Sequence, residues 1–139
     1  MFIREIDYKI VIGESALKVV SQADQETRCN AELEAVEEIS GYLRPKYDCK
    51  AIFEAEWTNR NRQILMYACD IALYHMAASL PNKMGMDIRK ERYERAIEWL
   101  KQVQAGIVIP DLPEATTDSG ESAAPSIRYG SKPCVDNSY

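Results

Sequence analysis

In three segments of this chain, apolar residues recur at the three- and four-residue spacing of an α-helix. The first of these segments surrounds Ile39. Their spacing predicts a helix that starts near Glu26 and stops at Pro45, because the residue before a proline disfavours helical geometry. Asp24 or Thr27 is suited to cap its start. The apolar stripe of this helix consists of Ala35, Val36, Ile39, Tyr42 and Leu43.

The second and third segments predict two more helices, over residues 59–80 and 87–105. Residues 59–80 are apolar nearly all round, which is typical of a helix at the centre of a bundle. In 87–105 the apolar positions follow Tyr93 at intervals of three and four residues, and Asp87 is a plausible N-cap. Gly106 follows at the position where helices commonly close in a left-handed conformation.

The remaining segments give weaker patterns. Residues 7–21 predict two short helical pieces separated by Gly13. Residues 46–58 predict a loop rich in large apolar side chains that fold back onto the helices. These side chains are Tyr47, Ile52, Phe53 and Trp57.

The composition changes near Pro110, since four of the six prolines lie in the last 30 residues together with several serines and glycines. Such a segment buries too little apolar surface to offset its conformational entropy. The sequence therefore predicts an all-α fold: a compact bundle of four to five helices over residues 1–109, with an extended or disordered tail over 110–139 that orders on partner binding. Within the tail, residues 126–129 alternate as a strand does and could add to a partner's sheet edge.

Charge is unevenly spread along the 139 residues, which are enough for one domain. The net charge of −5 argues against a nucleic-acid binder that relies on a basic face. Residues 1–38 carry −5, residues 39–110 carry +3 and residues 111–139 carry −3. Such polarity favours head-to-tail contact with copies of the chain or with a partner, although ordinary solvated helix faces would give the same counts.

Residues with catalytic or metal-binding chemistry are sparse. The four cysteines form no CxxC pair, which predicts reduced thiols and no zinc site. His75 is the single histidine and is expected to be a hydrogen-bonded core residue, and no glycine-rich phosphate loop occurs. Residues 64–80 contain Asp70 and His75, so they predict a buried helix rather than a membrane span. We therefore expect a soluble, intracellular protein that is not an enzyme and has no metal, cofactor or membrane contact.

Three sequence motifs, taken in order, resemble those of a known family. They are ISGYLRPKYD at 39–48, ILMYACDIALYHM at 64–76 and RYERAIEWLKQVQAGIVIPDLP at 92–113. The series resembles the small structural proteins of Mu-like prophages, whose genes lie among those for the capsid and neck. The matching positions are Tyr42, Leu43, Lys46 and Tyr47, then 68–71, then Tyr93, Ala96, Trp99, Leu100, Ala105 and Gly106. The tail motif RYGSKP at 128–133 is similar to the ending of members from gut-bacterial phages.

The resemblance implies a head–tail connector, also called an adaptor or head-completion protein. Such a protein assembles as a ring on the portal vertex, with twelvefold symmetry matching the portal, and extends the channel for packaged DNA. Its expected partners are the portal protein, tail and neck proteins and further copies of itself, and the isolated chain could be monomeric. Its expected location is the host cytoplasm during assembly and then the virion neck. The acidic net charge suits a channel lining that does not grip the duplex.

The charge division suggests which residues meet in such an assembly. We expect acidic residues of the helix at 26–44 to face basic residues of the next subunit, because heterologous contacts of this kind build rings. The expected subunit interface comprises Glu34, Glu37, Glu38, Arg89, Lys90, Arg92 and Arg95, and the expected partner-binding residues of the tail are Ile127, Arg128, Tyr129 and Lys132.

An alternative function is also consistent with the composition. A small acidic helical module could regulate a host protein by mimicking nucleic acid. Recovery of a host DNA-binding protein with the chain would favour that alternative.

Overall fold

Five α-helices follow one another through the part of the chain that the computed structural model describes, residues 1–13, 24–79 and 86–116. No β-strand occurs within these ranges, so the expected all-α fold is confirmed. A 3-10 turn at Trp57–Asn59 precedes the fourth helix. The helices are α1 (Glu5–Ile12), α2 (Gln25–Leu43), α3 (Cys49–Glu54), α4 (Arg62–Ser79) and α5 (Met86–Gln104).

The fourth helix, α4, lies at the centre of the bundle. It packs against both α2 and α5 and also contacts α1. Because it has neighbours on several sides, its buried residues are not confined to one stripe, as the all-round apolar pattern predicted. The side chains of α4 that are fully buried include Ile64, Ile71, Leu73 and Met76.

The ends of the long helices follow local sequence signals. The Asp24 carboxylate accepts a hydrogen bond from the Thr27 backbone N–H at 2.9 Å, so Asp24 is the N-cap of α2. Gly106 follows α5 with φ of +78°, the left-handed closure that its position predicted. The prediction of Asp87 as an N-cap was wrong, because Met86 is already helical. Asp87 lies in the first turn, where an acidic side chain interacts favourably with the helix dipole.

The segment between α2 and α4 was predicted to be a loop, but part of it is helical. It contains α3, whose N-cap Asp48 accepts a hydrogen bond from the Ala51 backbone N–H at 3.1 Å. A helix of six residues is too short to show an apolar period, which is why the sequence pattern missed it. Tyr47 and Ile52 are buried as predicted, whereas Trp57 is 71% exposed rather than folded back.

The chain after α5 returns to the start of α3. The Asp48 backbone N–H donates to the Pro113 carbonyl at 2.9 Å, and the Ala115 N–H donates to the Lys46 carbonyl at 3.0 Å. Leu112 is buried in the core beside these bonds. The beginning of the predicted tail is therefore extended and fastened to the helices, while residues 117–139 lie outside the described residues.

Candidate interaction surfaces

The outward face of α2 is acidic. Four of the six acidic side chains from Asp24 to Glu38 are exposed, whereas Glu32 is buried and is bonded to Tyr8 and Arg28. Glu34 and Glu37 are exposed, and Glu37 pairs with Arg44 at 2.9 Å across the surface. Since exposed pairs are screened by water, both carboxylates remain accessible to a partner.

Glu38 is partly buried, unlike Glu34 and Glu37 of the predicted interface. The Tyr93 hydroxyl donates to Glu38 Oε1 at 2.6 Å, and His75 Nε2 lies 3.2 Å from Oε2. Burial and the neighbouring Glu38 carboxylate raise the pKa of Tyr93, so its hydroxyl stays protonated as a donor. Glu38 therefore ties α2 to α4 and α5 inside one chain, and His75 is hydrogen-bonded as expected.

The arginines of α5 gather around a single buried carboxylate on α4. Arg92 Nε donates to Asp70 Oδ1 at 2.7 Å, and the Arg95 guanidinium lies 3.7 Å from Oδ2. Burial raises the pKa of Asp70, although Arg92, Arg95 and Arg89 oppose that rise. Burial and the charge of Arg92 lower the pKa of Arg89. Three cations thus share one anion, which leaves this cluster with a positive surplus.

The fourth predicted basic residue, Lys90, lies on another face of α5. It precedes Arg95 by five positions, which is about 140° around a helix, and it pairs with Glu94 at 3.8 Å. Arg89, Arg92 and Arg95 are instead spaced by three residues, and the charges of all three act on Asp70. We name these three side chains the arginine flank of α5.

Within the arginine flank, Arg95 is directed away from α2. Tyr93 contacts Glu38 of α2, and Arg95 follows Tyr93 by two positions, which is about 200° around the helix. Arg95 is 57% exposed, the Arg92 side chain is 26% exposed, and Arg89 is half-buried. One molecule therefore presents the acidic face of α2 and Arg95 of α5 on different sides.

The family comparison covers these elements. The family model described as Bacteriophage Mu, Gp36 matches residues 7–128 of the 139. The chain belongs to this Mu Gp36 family. It is therefore a phage protein, and the family resemblance of its sequence motifs is confirmed. No curated protein and no solved structure matches the chain.

The Mu Gp36 match spans all seven residues of the predicted subunit interface. It also includes Ile127 and Arg128 of the predicted tail contact but ends before Tyr129 and Lys132. These four tail residues lie outside the described part of the structure. The structure thus places the predicted interface on two helices of this family member.

A further surface of the Mu Gp36 family member surrounds Trp57, which the sequence pattern had assigned to the core. Trp57 has φ of +52°, a left-handed conformation that is uncommon for a bulky residue. Its carbonyl accepts a hydrogen bond from Arg60 Nε at 3.2 Å, and the Arg4 guanidinium lies 4.7 Å from the centre of its ring. The polar run TNRNR that follows Trp57 is the sequence signal that could have indicated a surface turn.

The Arg60 side chain packs under this turn and is hydrogen-bonded to it. It is buried and donates to both carboxylate oxygens of Asp7, at 2.7 and 3.1 Å, and to the Phe2 carbonyl at 2.7 Å. A guanidinium with several fixed partners has little freedom to move. The indole of Trp57 is consequently presented to solvent on a rigid support.

Two further arrangements are absent from the described residues. Across 1–13, 24–79 and 86–116, no three His, Cys, Asp or Glu side chains come together as metal ligands would. Within the same ranges, no helix is both long and apolar enough to span a membrane.

Proposed function

We propose that this phage protein is a head–tail connector that forms a ring on the portal vertex and extends the DNA channel. The observation that carries the proposal is the separation of the acidic α2 face from Arg95 of α5. A subunit with complementary charges on two different sides can bind the next copy in a heterologous contact, and such contacts close into rings when the rotation permits. Twelve copies would match the portal. This role is structural and needs no catalysis.

Contacts inside the chain guide which of the predicted residues we place across the proposed ring. Glu38 and Arg92 are already bound within the chain, to Tyr93 and Asp70. Glu34 and Glu37 on one side and Arg95 on the other retain exposed charge. We therefore assign the intersubunit contact to Arg95 of one subunit and Glu34 or Glu37 of the next.

The test is ring assembly on the portal protein of the same phage, observed by negative-stain electron microscopy. Arg95→Glu is expected to abolish the ring, and adding Glu34→Arg in the same chain is expected to restore it. Lys101→Glu is the matched control, since Lys101 is an exposed cation in the last turn of the same helix. Rings that persist with Arg95→Glu would refute this interface. No ring with the unaltered protein would refute the connector role.

The tail has a separate part in the proposal, as the segment that anchors the subunit to the portal. Truncation after Thr116 removes the proposed anchor and keeps Leu112 and the bonds of residues 113–115 to the helices. The truncated chain is expected to keep its helical circular dichroism and lose portal binding. Binding that survives the truncation would exclude the tail as the anchor.

A further inference from the structure

Four large apolar side chains on one side of the molecule are exposed to solvent although they adjoin one another. Ile10, Trp57, Met1 and Leu33 are 74%, 71%, 73% and 62% exposed. Grooves connect them in that order: about 220 Å³ between Ile10 and Trp57, about 150 Å³ between Trp57 and Met1, and about 150 Å³ between Met1 and Leu33. Exposed apolar side chains that line neighbouring grooves mark an interaction site more often than isolated exposed residues do.

Trp57 projects from the middle of this apolar strip, and the strip is concave at Leu33. The Trp57 indole stands between two of the grooves on the support that Arg60 provides. The groove at Leu33 is lined mainly by apolar side chains, including Met1, Phe2, Val36 and Phe53. A flat aromatic side chain held in one orientation is the kind of group that fills such a groove at protein interfaces.

The two ends also differ in charge. Arg4 and Arg62 border the groove between Ile10 and Trp57, and Arg62 has no ion-pair partner among the described residues. At the other end, Glu26 and Glu37 share the face of α2 that carries Leu33, at spacings of seven and four residues. The basic end of one molecule is therefore complementary to the acidic end of another.

The projecting and concave parts lie side by side, because Met1 and Phe2 border both the groove at Trp57 and the groove at Leu33. When two complementary patches adjoin on one face, a two-fold axis between them lets both contacts form at once. We propose that two copies of this chain bind reciprocally, with Trp57 of each copy in the Leu33 groove of the other and Arg62 near the acidic α2 face. This dimer goes beyond the proposed ring contact. Both contacts use the acidic α2 face, but the dimer adds Trp57 and the Leu33 groove and does not involve Arg95.

The first measurement is the mass of the full chain in solution by sedimentation velocity and light scattering over a wide range of protein concentrations. A concentration-dependent dimer is expected. Trp57→Ala is expected to weaken the dimer at least about a hundredfold, because each dimer loses two buried tryptophans. Ile107→Ala is the matched control, since Ile107 is equally exposed but lies outside the strip, and it should leave the dimer unchanged. A chain that stays monomeric throughout would overturn the proposal.

A mixing experiment distinguishes the reciprocal contact from other dimers. Leu33→Asp blocks the groove, so it is expected to weaken the dimer as Trp57→Ala does. An equimolar mixture of the two variants regains one intact contact, in which Trp57 of the Leu33→Asp chain enters the unaltered groove. The mixture should therefore dimerise more tightly than either variant alone. Equal weakness of the mixture and the single variants would refute the pairing of Trp57 with the Leu33 groove.

The charge contribution and the independence from the ring need two more variants. Arg62→Glu is expected to weaken the dimer, and the weakening should diminish at high salt because exposed charges are screened. Arg95→Glu, which tests the ring, should not change the dimer. Loss of the dimer with Arg95→Glu would show that the arginine flank, and not the apolar strip, joins the two copies. Circular dichroism of every variant distinguishes weakened association from unfolding.

Discussion

Asp7 and Arg60 form a buried two-point ion pair that fastens α1 to the segment before α4. Their atoms approach to 2.7 and 3.1 Å although the residues are 53 positions apart, and both side chains are almost fully buried. The same guanidinium bonds the carbonyls of Phe2 and Trp57. One side chain thus organises the N-terminus, α1 and the turn that presents Trp57.

Removal of one partner of this pair should be costly. Arg60→Ala leaves the Asp7 carboxylate buried without its main partner, which is expected to lower the free energy of unfolding by about 3–5 kcal/mol. Urea denaturation followed by circular dichroism measures the change. The control is Arg44→Ala, which breaks the exposed pair with Glu37 and should hardly move the midpoint. A small effect of Arg60→Ala would show that the pair is not a structural anchor.

The pKa of Asp7 should be lower than that of an ordinary aspartate, and the pKa of Asp70 should be higher. Burial acts to raise the pKa of Asp7, but hydrogen bonds from Arg60 and the Arg4 backbone, with the charge of Arg60, outweigh it and lower the pKa. Burial raises the pKa of Asp70 despite Arg92. A carboxyl-carbon NMR titration should place Asp7 below and Asp70 above about 3.9. Equal values for the two groups would contradict this account.

The same two groups affect the pH dependence of stability in opposite directions. Because the pKa of Asp7 is lower in the folded state, its contribution is complete above about pH 3.9 and is lost as the pH falls through the folded value. The raised pKa of Asp70 contributes stability below about pH 3.9, which is lost as the pH rises through its folded value. Asp70→Asn should therefore flatten the dependence above about pH 3.9.

Glu38 joins α2 to α4 and α5, and removal of the Tyr93 hydroxyl should show how much this contact contributes to stability. Tyr93→Phe deletes the donor to Glu38 and is expected to lower the free energy of unfolding by about 1 kcal/mol, since the site is only half-buried. Tyr74→Phe is the matched control. Its ring stacks on Tyr93 at 4.3 Å, but its hydroxyl has no hydrogen-bond partner among the described residues. Equal effects of the two changes would refute a specific role for the Tyr93 hydroxyl.

Two glycines should respond oppositely to alanine. Gly106 has φ of +78°, so Gly106→Ala is expected to destabilise the protein by about 1 kcal/mol or more. Gly41 lies within α2, and no atom outside its own helix turn would lie within 4 Å of an added Cβ. Gly41→Ala is therefore expected to stabilise the protein by about 0.5–1 kcal/mol. Thermal denaturation of both variants provides the comparison, and the same sign for both would contradict it.

The sequence by itself determined the helical class, the three long helices and the family. Apolar residues that recur every three or four positions mark a buried face before any fold is known, and Pro45 and Gly106 limit helices through their own backbone geometry. The central position of α4 was also readable, because a helix that is apolar on all sides must be covered on all sides. The order of the three motifs was sufficient to indicate the Mu-like family.

Only the tertiary structure decided which charges are used inside the molecule and which remain for partners. Glu38 and Glu34 belong to the same acidic run, yet Glu38 bonds Tyr93, 55 residues away, while Glu34 stays exposed. Arg92 and Arg95 are alike in sequence and both face Asp70, but Arg92 is hydrogen-bonded to it and 26% exposed, whereas Arg95 lies 3.7 Å away and is 57% exposed. Pairings of this kind depend on how helices pack, and local periodicity contains no information about them. For the same reason Trp57, a core residue by composition, is exposed on a turn that a distant ion pair holds.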